Sequence, residues 1–211
     1  MFDQLQQLLS HRDPRLVCVA AGDSETAQPE LIAHIDHEVT AGLDPNSLAE
    51  LRNQVGGLPH LVAFYEKFGS ARLFRDSVFR QGIGRASAYY IAPPDTWGEL
   101  RERAGHWFSQ LDDDEAQEIL PDWMTDYVVV GEIPNSGNYF LVPLVGEDRG
   151  KVYEFEHDGY EFIERGRNFE AFVDSLAQVA AEHLERIGGH TRYCDAVTSR
   201  QWMPRIYMRE P

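Results

Sequence analysis

The sequence predicts an α+β fold: an antiparallel sheet meander with helices packed mainly on one side. Three observations predict it. Amphipathic helical stretches gather before the sheet, the hydrophobic period changes to two from Tyr127, and a helical pattern returns after Asn168. Elements segregated in this way differ from the alternation of βαβ units.

The chain divides into an N-terminal extension (1–43), a core domain (44–187) and an arginine-containing tail (188–211). In the extension, Leu16 to Ala20 reads as a short buried strand closed by Gly22-Asp23. Leu31, Ile35 and Val39 at i, i+4 and i+8 predict a helix over 29–39. Asp44-Pro45 supplies an N-cap followed by proline at the first helical position. Leu48, Leu51 and Val55 share a face before Gly56-Gly57 ends that helix. Leu58-Pro59 opens the next, with Leu61, Val62, Phe64, Tyr65 and Phe68 as its apolar set.

Strand-like pieces follow at 72–74, 78–79 and 86–91. Thr96 and Glu99 have capping-box spacing ahead of a helix to about Phe108. Residues 112–120 read as a short acidic helix stopped by Pro121. Four strands are expected at 127–130, 138–144, 150–156 and 160–165, separated by turn residues. Asn168 then caps one long helix to Ile187. In the tail, Arg192, Arg200, Arg205 and Arg209 outnumber Asp195 and Glu210. A basic tail on an acidic body is expected to dock back on it or to reach a neighbouring copy.

With 211 residues, 43% of them hydrophobic, the chain has enough apolar material for one domain with additions. Its net charge of −16 repels phosphate backbones and argues against nucleic acid. The same charge attracts a basic protein partner and steers its approach. Cys18 and Cys194 form no CxxC and read as buried thiols, with one long-range disulfide as the alternative. No apolar run approaches the ~20 residues a membrane span needs. Residues 1–10 lack a basic region leading into an apolar stretch, so a cytoplasmic location is expected.

Several stretches, in order, resemble the SUKH superfamily, the fold of a fungal cell-wall assembly regulator and of many bacterial toxin-immunity proteins. They are "LPHLVAFYEKFG" (58–69), "IAPPDTWGELRERAGHWF" (91–108), the meander from "YVVVGEIPNSGNYFLVPL" to "GKVYEFEHDG", and "RNFEAFVDSLAQV" (167–179). The resemblance spans about Asp44 to Ile187, leaving both extensions outside it, with "RDSVFRQGIGRAS" (75–87) as a local elaboration. It implies a single α+β domain that binds proteins, often neutralising a nuclease or deaminase toxin. It implies no shared catalytic residue set, and from the residues themselves no cofactor and no metal are expected.

The candidate sites each have a plain structural reading beside the chemical one. Asp112-Asp113-Asp114-Glu115 lacks the alternating ligands and central glycine of a calcium loop, whereas carboxylates in a first helical turn complement the helix dipole. His34 and His37, at i, i+3, do not form the His-Glu-x-x-His of zinc proteases. Gly82-Ile83-Gly84 lacks the third glycine and the lysine of phosphate loops. Nucleophile motifs are absent. Trp97, Trp107, Trp123 and Trp202 read as core, although tryptophan beside acids also suits a binding hot spot.

The stretch "GKVYEFEHDGYEF" (150–162) concentrates Glu154, Glu156, His157, Asp158 and Glu161. With Asp158-Gly159 at the centre of a type I′ turn, Glu156 faces Glu161, Phe155 faces Phe162 and Glu154 faces Ile163. Alternation then places Tyr153, Phe155, Tyr160 and Phe162 toward the core, and Glu154, Glu156 and Glu161 on a wet face with Arg165. The expectation is a binding module that meets a basic partner through Asp112–Glu115 and this glutamate face, as a monomer or weak homodimer. A regulatory scaffold without a toxin, and a hydrolase using Glu156 and Glu161 as paired carboxylates, are the alternatives.

Overall fold

The computed structural model describes residues 1–10, 15–20, 30–76, 86–194 and 200–208. The expectations for 22–23, 78–79, 82–84 and the last three residues lie outside them. Among the described residues the helices are α1 (Asp3–Ser10), α2 (Pro45–Gln54), α3 (Pro59–Lys67), α4 (Trp97–Phe108), α5 (Asp113–Ile119), α6 (Phe169–Leu176) and α7 (Ala181–His190). The strands are β1 (Arg15–Ala20), β2 (Glu30–Ala41), β3 (Phe68–Asp76), β4 (Tyr89–Ile91), β5 (Tyr127–Ile133), β6 (Asn138–Pro143), β7 (Val152–Glu156), β8 (Glu161–Gly166), β9 (Tyr193–Cys194) and β10 (Gln201–Met208). They form one sheet in the order β8-β7-β6-β5-β4-β3-β2-β1-β10-β9, and every pairing is antiparallel. The α+β meander is therefore present.

Local chemistry explains several boundaries. Asp44 accepts the amides of Asn46 and Ser47 at 2.9 and 3.2 Å, with Pro45 in the first turn of α2. Asn168 Oδ1 accepts the amide of Ala171 at 2.9 Å and starts α6. Thr96 does not complete the expected capping box. A 3-10 turn at Pro94–Thr96 precedes α4, and the Thr96 hydroxyl donates back to Pro93 O.

Residues 30–41 are a strand, not the helix expected over 29–39. The spacing of Leu31, Ile35 and Val39 is a multiple of both four and two, so it fits either period. The first half of β2 pairs with β1 and the second half with β3. A strand also separates His34 and His37, because residues three apart point to opposite faces. Opposite His37, β3 carries a bulge: the pairing skips from Asp36↔Arg75 to Glu38↔Arg72. Phe74 there has φ +51° and donates its amide to His37 Nδ1 at 3.1 Å. A non-glycine residue in this region is uncommon, and the bulge accounts for it.

The single helix expected over 168–187 is two helices. Nothing in "LAQVA" marks the break. Ala180 accepts the amides of His183 and Leu184 to start α7, and His183 Nε2 lies 3.0 Å from Leu176 O, the end of α6. The tail returns as β9 and β10, with β10 paired along β1, so it docks through backbone hydrogen bonds.

Pairing register sorts the faces. Phe140 and Glu154 share one face, and Tyr139 and Phe155 share the other. On the first face Phe140 meets Phe172 of α6, and Tyr89 meets His183 of α7. Helix α1 joins this layer through Phe2 against Phe64 and the amide of Leu5 on Asp174. On the second face lie the last turn of α4 and Trp123, from the 3-10 turn Asp122–Thr125. Trp97, Trp123 and Trp202 are buried, as expected of core tryptophans. Cys18 and Cys194 are buried free thiols. No helix among the described residues is long and apolar enough to cross a membrane.

Candidate partner-binding site

Helix α5 begins with a complete capping box. Asp112 Oδ1 accepts the amide of Glu115 at 2.9 Å, and Glu115 Oε2 accepts that of Asp112 at 3.0 Å. Two of the four carboxylates expected to meet a partner therefore also start a helix. Asp113 and Asp114 are exposed beside them and form no ion pair among the described residues. Their charge sits in the first turn, where the helix dipole favours it.

The β7–β8 hairpin keeps the expected register: Glu156↔Glu161, Phe155↔Phe162 and Glu154↔Ile163. Its turn differs from the expected two-residue form. His157 to Tyr160 form a four-residue turn, and the positive φ falls on Tyr160 (52°) rather than on Asp158-Gly159. The carboxylate of Glu156 closes this turn by accepting the amides of Asp158 at 3.3 Å and Gly159 at 2.7 Å.

Glu154, expected on the wet face, is buried. It shares a face with Glu156, as alternation requires, but α6 and α7 cover that face at its position. Its Oε2 accepts from Arg165 Nε at 2.7 Å and its Oε1 from Asn138 Nδ2 at 2.9 Å. A buried carboxylate needs such partners, and Arg165 relieves the acidic face as the alternation implied. Asn138 Oδ1 in turn meets His157 Nδ1 at 2.9 Å, and His157 Nε2 lies 3.1 Å from Asp158 Oδ1. A polar chain thus runs from half-buried Arg165 through buried Glu154 to the hairpin tip.

Glu156, His157 and Asp158 each offer a ligand atom within 4.8 Å of the others, the geometry a cation site needs. Every one already serves the turn: Glu156 caps it, Asn138 anchors His157, and Asp158 pairs with the imidazole. As paired carboxylates, Glu156 and Glu161 lie opposite each other on the ladder. Neither lines the cavities formed by Leu43, Pro93 and Asp95, by Ser87, Thr191 and Arg192, or by Tyr89, Arg165 and Arg186.

Helix α4 links the two acidic stretches along the chain: its last turn packs on the hairpin and leads into α5. Trp107 packs against His157 with ring centroids 4.6 Å apart and planes tilted by 52°, and its carbonyl accepts the Tyr160 hydroxyl. Phe108 packs on Phe155 and Phe162 at 4.7 and 6.1 Å. Asp112, the N-cap of α5, follows Phe108 by four residues. Asp112 to Glu115, Asp158 and Glu161 are exposed at this end of the molecule. Sequence reasoning missed the role of Trp107; its position one helical turn and a short link before an acidic cap was the available signal.

The fold is thus an α+β antiparallel meander in which half-buried Trp107 packs beside an acidic hairpin. The SMI1 / KNR4 family (SUKH-1) model matches residues 42–175, about two-thirds of the chain, and the chain belongs to this family. Comparison with curated proteins and with solved structures gives no significant match.

Proposed function

We propose that the chain is a non-catalytic protein-binding domain, an immunity-type protein that neutralises a basic toxin, nuclease or deaminase, in the cytoplasm. Family membership supports the class, since the resemblance implies proteins of this kind. The observation that carries the reading is the seating of the last turn of α4, which leads into Asp112–Glu115, on the hairpin that bears Asp158 and Glu161, through Trp107 and Phe108. Nucleases hold phosphates with positive charge, so an acidic inhibitor is steered to the same surface and competes there. Tryptophan beside the acids supplies the apolar anchor that binding hot spots favour.

The test is to read the gene beside the one for this chain and co-express its product, a toxin-like protein being the expected finding and a metabolic operon the contrary one, with growth and binding both measured. Asp113→Lys, Asp114→Lys and Glu161→Lys together are expected to abolish protection and weaken binding by at least about a hundredfold. Unchanged affinity in that triple variant would overturn the proposed surface.

A further inference from the structure

Away from the acidic end, β4, β7, β8 and α7 enclose a region of the opposite charge. A cavity of about 40 Å³ is lined by Tyr89, Glu154, Arg165, Ser175, Arg186 and His190, among others. It shares His190 with a wider opening of about 310 Å³ that Ser87, Thr191 and Arg192 line. A water occupies roughly 10–15 Å³ of such space. The smaller cavity therefore holds the volume of a few waters, or of one tetrahedral oxyanion.

Two buried polar atoms here find no partner among the described residues: the Tyr89 hydroxyl and His190 Nε2. Tyr89 is 2% exposed. Leaving a buried donor unpaired costs about 1–3 kcal/mol. Thr191 Oγ1 meets His190 Nδ1 at 2.8 Å. With that hydroxyl donating to Nδ1, the imidazole hydrogen is carried on Nε2 and is available to a ligand.

The charges point the same way. Arg165 is balanced by Glu154, whose two oxygens are already committed. Arg186 forms no ion pair, and Arg192 donates only to the carbonyls of Gly188 and Thr191, among the described residues. The neighbourhood is positive enough that burial, together with His183, Arg192, Arg186 and Arg165, pushes His190 down to about 4. Exposed Arg186 and half-buried Arg192 are thus two guanidinium groups here without a carboxylate partner among the described residues. Arg186, His190, Thr191 and Arg192 also lie beyond the family-matched residues.

We propose that this cavity binds a phosphate-type oxyanion, with the Tyr89 hydroxyl and His190 Nε2–H as donors and Arg186 and Arg192 balancing its charge. The anion is free phosphate or the end of a phosphate monoester whose carbon skeleton extends into the wider opening. Either way it joins the C-terminal extension to the family domain. The inference is independent of the partner surface.

The test is calorimetric titration of the full chain, in a chloride buffer, with inorganic phosphate and separately with ribose 5-phosphate. Saturable binding is expected, weakened about tenfold by Arg186→Gln and several-fold by Tyr89→Phe. Tyr89→Phe removes a hydroxyl with no partner among the described residues, so it folds as well as the wild type without ligand and gains less melting temperature on adding phosphate. Tighter binding of the ester assigns the wider opening to its skeleton, and tighter binding of inorganic phosphate assigns a free anion. No saturable binding of either probe, or equal binding by both variants, overturns the proposal.

Discussion

The backbone amide of Cys194 donates to Asp76 Oδ2 at 3.2 Å, joining β9 to the end of β3 across 118 residues. Cys194 Sγ lies 3.6 Å from the same oxygen, and the Tyr193 hydroxyl donates to Phe74 O at 2.7 Å. The extension is therefore locked to the domain by buried polar contacts as well as by strand pairing. Asp76 is 1% exposed. Asp76→Ala leaves the Cys194 amide buried without its acceptor, and a loss of about 2–4 kcal/mol is expected in urea unfolding. A loss below about 0.5 kcal/mol would show that strand pairing alone holds the extension.

Glu154 and Arg165 provide a second stability test. The carboxylate is almost wholly buried and the guanidinium about a quarter exposed. Removing one partner strands the other's charge, so Arg165→Ala is expected to cost about 3 kcal/mol or more. Replacing both with methionine is expected to recover most of that loss. Equal losses for the single and double variants would contradict the assignment.

The acidic end separates helix capping from binding. Asp112→Ala removes the cap of α5 and is expected to cost about 1 kcal/mol. Asp113→Asn and Asp114→Asn touch nothing structural and are expected to stay within about 0.5 kcal/mol of wild type while weakening a basic partner. Thermal melts beside binding curves distinguish the two effects.

Acid should destabilise the fold through its buried histidines. Burial, reinforced by Arg186, holds His183 down to about 4, against an ordinary value of 6.5. His190 shifts the same way. Because the folded state binds the proton less readily than the unfolded one, this stability is present above pH 6.5 and lost as pH falls toward 4. The loss over that window is expected to be roughly 2–4 kcal/mol for His183. His183→Gln should flatten the stability profile there, and an unchanged slope would remove His183 as the cause.

Much of this architecture was legible because its signals are local. Asp44-Pro45 and Asn168 mark helix starts through side chains that reach adjacent amides, and the glutamate pairing of the hairpin follows from alternation. Errors arose where two periods coincide or where tertiary partners decide. Leu31, Ile35 and Val39 fit a helix or a strand, and pairing on both sides selected the strand. The break after Leu176 depends on His183 reaching its carbonyl. Glu154 was read as solvated because alternation sorts faces without saying which face a distant helix covers. The hairpin turn escaped the Asp-Gly rule because the Glu156 side chain closes it.

The division of β2 between two neighbours has a consequence for solubility. The family-matched residues begin at Gly42, just after β2 ends. Without the preceding strands, β3 would be the outermost strand of the remaining sheet. Its nine residues are mostly buried, and Phe68, Leu73 and Phe74 would line a bare row of amides and carbonyls. Such a row is a template for edge-to-edge polymerisation, first with identical chains. The strands before β3 thus act as a guard rail, keeping the sheet from joining a copy of itself.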